Sequence, residues 1–340
     1  MTRRGMMLAD KVREAINSPF NVFRKEIYAS ASIGISLYPQ DGRSAGELIK
    51  AADIAMYSAK NKGKNAYQFF MPEMNRAVKE KLNNEESLRL AIEKGELEFY
   101  YQPKISMADD EVIKAEALIR WHKDNNEWVM PGDFIAIAEE SGLIIPISFH
   151  VFELACEFIR RLENKYHKSI HISFNLSGRQ FRQHDLAQRF LELAAKYGVK
   201  PEQIEFEITE SVIMEDPDLA KVICQKMKSL GFKLSLDDFG TGYSSLSYIW
   251  EYPINSIKID PSFIVNVETD TTNQAIIHAV LLIAKSKQLE VICEGVETQV
   301  QLDFLKSIGV EHIQGYYFSK PLNEQDFIRY LDKGAPKNSG

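Results

Sequence analysis

The chain has 340 residues, 45% of them hydrophobic, and its 41 basic residues against 48 acidic ones give a formal net charge of −7. That balance argues against a nucleic-acid duplex as partner, because duplex-binding surfaces are normally basic. No apolar run approaches the ~20 residues of a membrane span. Asp10, Lys11 and Glu14 also break up any leader core after Arg3 and Arg4, so the sequence predicts a cytoplasmic globular chain with no membrane contact of its own, while leaving open an anchor in a longer parent. The three cysteines, Cys156, Cys224 and Cys293, are far apart in apolar patterns and read as reduced core residues.

In chain order, Ser30 to Leu37 reads as a strand, Gly46 to Lys60 as an Ala-rich amphipathic helix and Ala66 to Phe70 as a short strand, too few elements for an independent core. Met71 to Lys94 follows as a charged helical connector. From residue 97 on, strand and helix patterns alternate. The eight strand candidates are Leu97 to Ser106, Val112 to Trp121, His171 to Ser177, Ile204 to Thr209, Lys233 to Asp237, Ser256 to Asp260, Glu290 to Glu294 and His312 to Phe318. Helical periodicity fills most gaps, as in Ser148 to Tyr166, Asp185 to Tyr197, Asp218 to Leu230, Asn273 to Lys287 and Thr298 to Ile308, with glycine stops at Gly198, Gly231 and Gly309. Such alternation predicts a (β/α)₈ TIM-like barrel. The link from Met107 to Glu111 is too short for a parallel crossover, so the first two strands are predicted to form an antiparallel hairpin.

Near the ends of these strands stand Glu116, Asn175, Glu207, Asp237, Asp238, Glu294 and Gln314. In a barrel they converge on one face. Carboxylates at that density repel, so either several pKa values rise or divalent cations occupy the centre. Oxygen-only ligands suit hard ions such as Mg²⁺ or Mn²⁺ rather than zinc. Arg120 shares strand parity with Glu116 and Leu118 and is a natural fork for a phosphate or guanine edge. The seven histidines show no ligand spacing and read as structural or exposed. Trp121 reads as barrel-end packing, Trp128 and Trp250 as candidates to line a purine site or an interface, and Arg179 as a ligand contact or a helix cap.

Ten ordered blocks resemble the EAL family of cyclic di-GMP phosphodiesterases: YQPK (101–104), EALIRW (116–121), PGDFI (131–135), AEESGLI (138–144), FNLSGRQF (174–181), EITES (207–211), LDDFGTGYSSL (236–246), IKID (257–260), CEGVE (293–297) and QGYYFSKP (314–321). Residues 30–70 are similar to the C-terminal half of a GGDEF domain, the diguanylate cyclase fold, without its signature, and Lys60 and Lys64 fall at its basic phosphate positions. The resemblance implies a fragment that begins part-way through a GGDEF–EAL tandem: residues 1–72 a GGDEF-like piece without cyclase activity, 73–94 a connector, 95–335 the EAL barrel and 336–340 a disordered tail.

The same resemblance implies hydrolysis of cyclic di-GMP to pGpG with two Mg²⁺ or Mn²⁺ ions per site. It assigns Glu116, Asn175, Glu207 and Asp237 to one metal, with Asp237 bridging to a second held by Asp238 and Glu294. It places Lys258 beside the nucleophilic water, Gln314 in the water network and Gln102, Leu118 and Arg120 on the substrate. It also makes Glu210 the support of the Asp238 to Leu246 loop, which couples metal occupancy to a homodimer. The competing expectation is a silent receptor that binds cyclic di-GMP and signals through the connector helix.

Overall fold

The computed structural model describes residues 2–22, 25–61, 65–124, 127–240 and 251–333. The chain divides into two units, Met1–Ser87 and Leu88–Gly340. In the first, a helix at Thr2–Asn17 and an antiparallel hairpin of Phe20–Val22 with Lys25–Ile27 precede the elements anticipated above. Strands Ile33–Ile35 and Tyr67–Phe69 pair in parallel across the helix Ala45–Asn61. Ala51, Ala55 and Ala59, four apart, form the buried stripe of that helix. Gly34 lets it lie flat on the strand, since a Cβ there would stand 1.8 Å from the Ala52 carbonyl oxygen. This βαβ arrangement fits part of a GGDEF fold. Lys60 lies in the last turn of the helix; Lys64 falls outside the described residues.

The second unit is a closed barrel of eight strands: β1 (Leu97–Ser106), β2 (Val112–His122), β3 (His171–Asn175), β4 (Ile204–Thr209), β5 (Lys233–Phe239), β6 (Ser256–Ile259), β7 (Glu290–Cys293) and β8 (His312–Ile313). Strands β2 to β8 run parallel. β1 is antiparallel to both its neighbours, β2 and β8, and closes the ring. Outside the strands pack Ile144–Tyr166, Leu186–Tyr197, Pro217–Ser229, Thr271–Lys287, Gln299–Ser307 and Glu324–Lys333. Gly198 ends one of them as anticipated, at φ 70° with its N–H on the Ala194 carbonyl.

Strand parity sorts the side chains. Outward-facing Phe174 and Phe206 meet Phe152 and Phe190 of the helices, and the Phe206 and Phe190 rings stack at 4.9 Å. This aromatic seam puts the apolar core between strands and helices. The inward positions are almost all polar, because the alternate residues of β2 to β7 are Lys114, Glu116, Ser173, Asn175, Glu205, Glu207, Ser235, Asp237, Ser256, Lys258 and Glu290. Trp121 is buried against Phe134, 5.8 Å between rings, as barrel-end packing requires.

One predicted strand is shorter than the sequence implied: of His312 to Phe318 only His312–Ile313 is extended. After Gln314 N–H bonds the Cys293 carbonyl, the chain turns at Gly315, where a Cβ would fall 2.1 Å from the Val296 carbonyl oxygen. That close approach bends the backbone out of the sheet. β3 likewise stops at Asn175, because Ser177 caps the short helix Gly178–Phe181 in a capping box with Gln180.

Candidate active site at the barrel mouth

β2, β4, β5, β6 and β7 deliver Glu116, Glu207, Asp237, Lys258 and Glu294 to the same end of the barrel. The Lys258 ammonium, 1% exposed, is the centre of the group. Its Nζ lies 3.0 Å from Asp237 Oδ1, 2.8 Å from Glu294 Oε1 and 3.6 Å from Glu116 Oε2, and it donates to Glu207 Oε2. Asn175 Nδ2 donates to Glu116 Oε1 at 2.7 Å, which leaves the amide oxygen of Asn175 for another partner. Gln314 Nε2 donates to Glu116 Oε2 (2.6 Å) and to Gln102 Oε1 (3.0 Å), while Gln314 Oε1 is buried with no hydrogen-bond partner among the described residues. Gln102 in turn donates to the Ser319 carbonyl.

Charge explains the titration pattern. Burial pushes the Glu294 carboxyl up to about 8, with the neighbouring acids adding to the shift and Lys258 opposing it. Burial and the charge of Glu207 raise Glu116, and burial raises Asp237. Glu207 goes the other way: burial would raise it, but Lys104 and Lys258 outweigh burial and hold it well below the usual carboxylate range. Burial would also discharge Lys258, yet Glu116, Glu207, Glu294 and Asp237 hold its pKa well above the ordinary lysine value.

The remaining anticipated residues are placed unequally. Asp238 follows Asp237 in a left-handed turn, φ 52°, with its N–H on Asp237 Oδ1, and burial followed by Asp260 raises its pKa. Leu118, Asn175 and Thr209 line an adjoining cavity of 380 Å³. Arg120 is half-buried, its guanidinium donating to the Ile119 carbonyl and lying 5.7 Å over the Tyr100 ring. Trp128, on a two-residue strand Trp128–Val129 antiparallel to β2, stacks on His122 at 4.4 Å and meets the Tyr100 ring of β1 edge-on at 5.6 Å. Both Glu210 carboxylate oxygens are buried with no hydrogen-bond partner among the described residues. The loop it is expected to hold lies from residue 241 outside the described residues, as do Trp250 and the tail 336–340. Arg179 caps the C-terminal carbonyls of the helix Pro131–Ser141 through Glu139 and Glu140 rather than reaching the mouth.

Two buried layers beneath the mouth escaped the motif reading. Lys104 Nζ contacts Glu207 Oε1 at 2.5 Å and Ser173 Oγ at 2.8 Å. Deeper, Lys114 Nζ joins Glu205 (3.2 Å) and Glu290 (2.5 Å), and Ser256 Oγ donates to Glu205 at 2.9 Å. Parity alone would have found them, since Lys104 alternates with Gln102, Lys114 with Glu116 and Glu205 with Glu207.

Among the described residues no three carboxylate, imidazole or thiolate groups stand ready as a metal site. The acids close on Lys258 instead. The donor set nevertheless fits hard cations: every donor is an oxygen, and five carboxylates face two ammonium groups, with burial first and neighbouring acids after it raising Glu116, Asp237 and Glu294. The buried Gln314 oxygen adds an unused acceptor beside them.

The closed barrel with its charged mouth defines a (β/α)₈ protein whose functional groups sit at the C-terminal ends of the parallel strands. The chain belongs to the EAL domain family, which it matches over residues 85–321, and residues 2–66 match the diguanylate cyclase GGDEF domain. It is 37% identical over 321 residues to the bifunctional diguanylate cyclase/cyclic di-GMP phosphodiesterase MucR of Pseudomonas aeruginosa, covering 94% of this chain and 47% of that protein. It is 35% identical over 328 residues to the cyclic di-GMP phosphodiesterase PdeR of Escherichia coli, covering 96% and 49%. The chain thus spans about half the length of these relatives. Among solved structures, the PaMucR phosphodiesterase in complex with c-di-GMP superposes with a TM-score of 0.69 at 33% identity, over 72% of this chain and 99% of that one. The EAL enzyme Bd1971 with cAMP and cyclic di-GMP gives a TM-score of 0.72 at 28% identity, over 86% and 77%.

Proposed function

We propose that the chain hydrolyses cyclic di-GMP to linear pGpG with two Mg²⁺ or Mn²⁺ ions per site, as a homodimer in the cytoplasm. The observation that carries this reading is the complete oxygen-ligand set around Lys258: Glu116, Asn175, Glu207, Asp237, Asp238 and Glu294 are all present at one mouth. Glu116, Asn175, Glu207 and Asp237 would hold one ion and Asp237, Asp238 and Glu294 the other. Bound there, the ions supply charge relief on the attacking and leaving oxygens of the phosphodiester.

The chain's own residues do the rest. Lys258, kept cationic by four acids, stabilises the negative charge that builds on phosphorus-bound oxygen as water attacks and the P–O3′ bond breaks. Gln314 offers its unused buried oxygen to a hydrogen of the attacking water while its amide N–H groups fix Glu116 and Gln102. Arg120 and Gln102 orient the nucleotide from the β1–β2 rim, and Leu118 supplies an apolar wall.

The test is incubation of purified protein with cyclic di-GMP and Mn²⁺, with products separated chromatographically beside a Glu116→Ala control. Linear pGpG from the wild type alone is the expected result. Binding without any linear product at micromolar enzyme would make the chain a receptor. Removing residues 1–72 should leave turnover measurable, because the main apolar core is built entirely from Leu88 onward; a folded, inactive product would contradict this.

A further inference from the structure

We infer that Lys104 fixes Glu207 as a one-oxygen ligand and thereby biases the barrel mouth toward small octahedral cations over calcium. The inference rests on the metal site proposed above and concerns a residue outside its ligand set. Lys104 is 0% exposed and Glu207 1% exposed. The Lys104 ammonium sits 2.5 Å from Glu207 Oε1 and 2.8 Å from Ser173 Oγ, so Oε1 is already claimed from below. The other oxygen, Oε2, accepts from Lys258 on the mouth side.

The direction of β1 is what brings Lys104 there. In a parallel strand a residue two places after Gln102 would stand nearer the mouth or above it. β1 runs the opposite way, its backbone pairing Gln102 with Glu116 and Lys104 with Lys114, so the Lys104 backbone lies below the mouth and its side chain rises toward Glu207. The ammonium therefore reaches Glu207 from beneath, where it blocks one carboxylate oxygen without occupying the space above the other. Withdrawing it would leave the buried Lys104 cation without its carboxylate partner, while Glu207 kept only Lys258, which is costly enough to hold the arrangement.

Denticity separates the candidate ions. Mg²⁺ and ions of similar preference take six oxygens at about 2.0–2.1 Å in near-ideal octahedra, whereas Ca²⁺ takes 6–8 at about 2.3–2.6 Å and readily uses a carboxylate through both oxygens. A bidentate Glu207 would set the cation beside Oε1 and against the Lys104 ammonium. Lys104 thus penalises the mode that calcium uses and leaves the octahedral mode untouched.

Calorimetric titration with Mn²⁺ and with Ca²⁺, on the full chain and on Lys104→Met and Lys104→Gln, tests this without turnover. Losing one positive charge alters the attraction for both divalent ions alike, so the ratio of their dissociation constants isolates the geometric effect. The preference for Mn²⁺ over Ca²⁺ should fall about tenfold or more in both variants, a loss of ~1.4 kcal/mol of discrimination. A ratio unchanged within about twofold in a folded variant would overturn the inference. Should neither variant fold, a crystal structure of the wild-type chain grown with Mn²⁺ decides it: Glu207 ligating through Oε2 with Oε1 kept on Lys104 supports the inference, and a bidentate Glu207 overturns it. A wild type that binds neither ion refutes the metal site itself, an outcome distinct from an unchanged ratio.

Discussion

Lys258 Nζ and Glu294 Oε1 lie 2.8 Å apart across the barrel mouth, joining β6 to β7 through a contact that is 2% and 13% exposed on its two side chains. The same ammonium serves Asp237 and Glu207 on the opposite side. One cation thus holds three strands' carboxylates in a common geometry, and its removal has effects on both stability and chemistry.

Lys258→Met is expected to lower kcat for cyclic di-GMP by about 10²–10³-fold, the usual loss when a preorganised charge is taken from a transition state. In chelator-treated protein the same change should also cost roughly 3–5 kcal/mol in urea unfolding, because acids that shared the cation are left buried without it. Wild-type turnover in the variant would remove Lys258 from the mechanism.

Arg120 tests recognition separately from chemistry. Arg120→Lys keeps the charge and loses the planar fork, so KM should rise about tenfold while kcat stays within about twofold. Steady-state kinetics on the pair of proteins distinguishes this from a fall in kcat alone, which would place Arg120 in the chemical step.

The lower end of the barrel carries a pH dependence of predictable sign. Burial, then Lys233 and Lys114, hold the His171 pKa below its ordinary 6.5, against the opposing pull of Glu205 and Glu290. The unfolded chain therefore binds more protons than the folded one in the window below 6.5, so stability is intact above that pH and is lost as pH falls toward the folded-state value. His312, also lowered by burial, contributes with the same sign. Thermal melts of His171→Gln should show a shallower fall in Tm between pH 6.5 and 5 than wild type; an identical slope would contradict the assignment.

Phe206 anchors the aromatic seam, with ring centroids at 4.9 Å from Phe190 and 5.2 Å from Phe232. Phe206→Ala should cost about 3–5 kcal/mol by denaturant unfolding, as a fully buried aromatic does when a cavity replaces it. A loss below about 1 kcal/mol would mean that the neighbouring rings collapse into the space.

The barrel was legible because its apolar and polar residues alternate with clean periods, and the mouth was legible because Glu116, Glu207 and Asp237 stand in motifs at strand ends. The deeper charges were not. Lys104 and Lys114 look like solvated strand residues; alternation with Gln102 and Glu116 puts both on the inward face, but the depth at which their charges meet Glu207 and Glu205 depends on the pairing of an antiparallel β1 with β2. Gly315 hid a second feature: the apolar and aromatic run after Gln314 imitates a strand, while the close backbone contact with Val296 that ends it depends on a segment distant in sequence. Arg179 stayed ambiguous for a similar reason, since its carbonyl partners belong to a helix some forty residues earlier.

The placement of β1 also governs when the barrel can form. β1 pairs with β8, Ile105 opposite Ile313, and Tyr101 exchanges backbone hydrogen bonds with Leu322. A chain emerging from the ribosome therefore holds the first strand unpaired on one edge until more than two hundred later residues have been made. Local contacts reward folding early, but this seam requires a long loop to close before it returns any stabilisation. Ring closure is thus expected to be the slow step of folding, and the exposed edge of β1 the surface most open to misassembly while synthesis is incomplete.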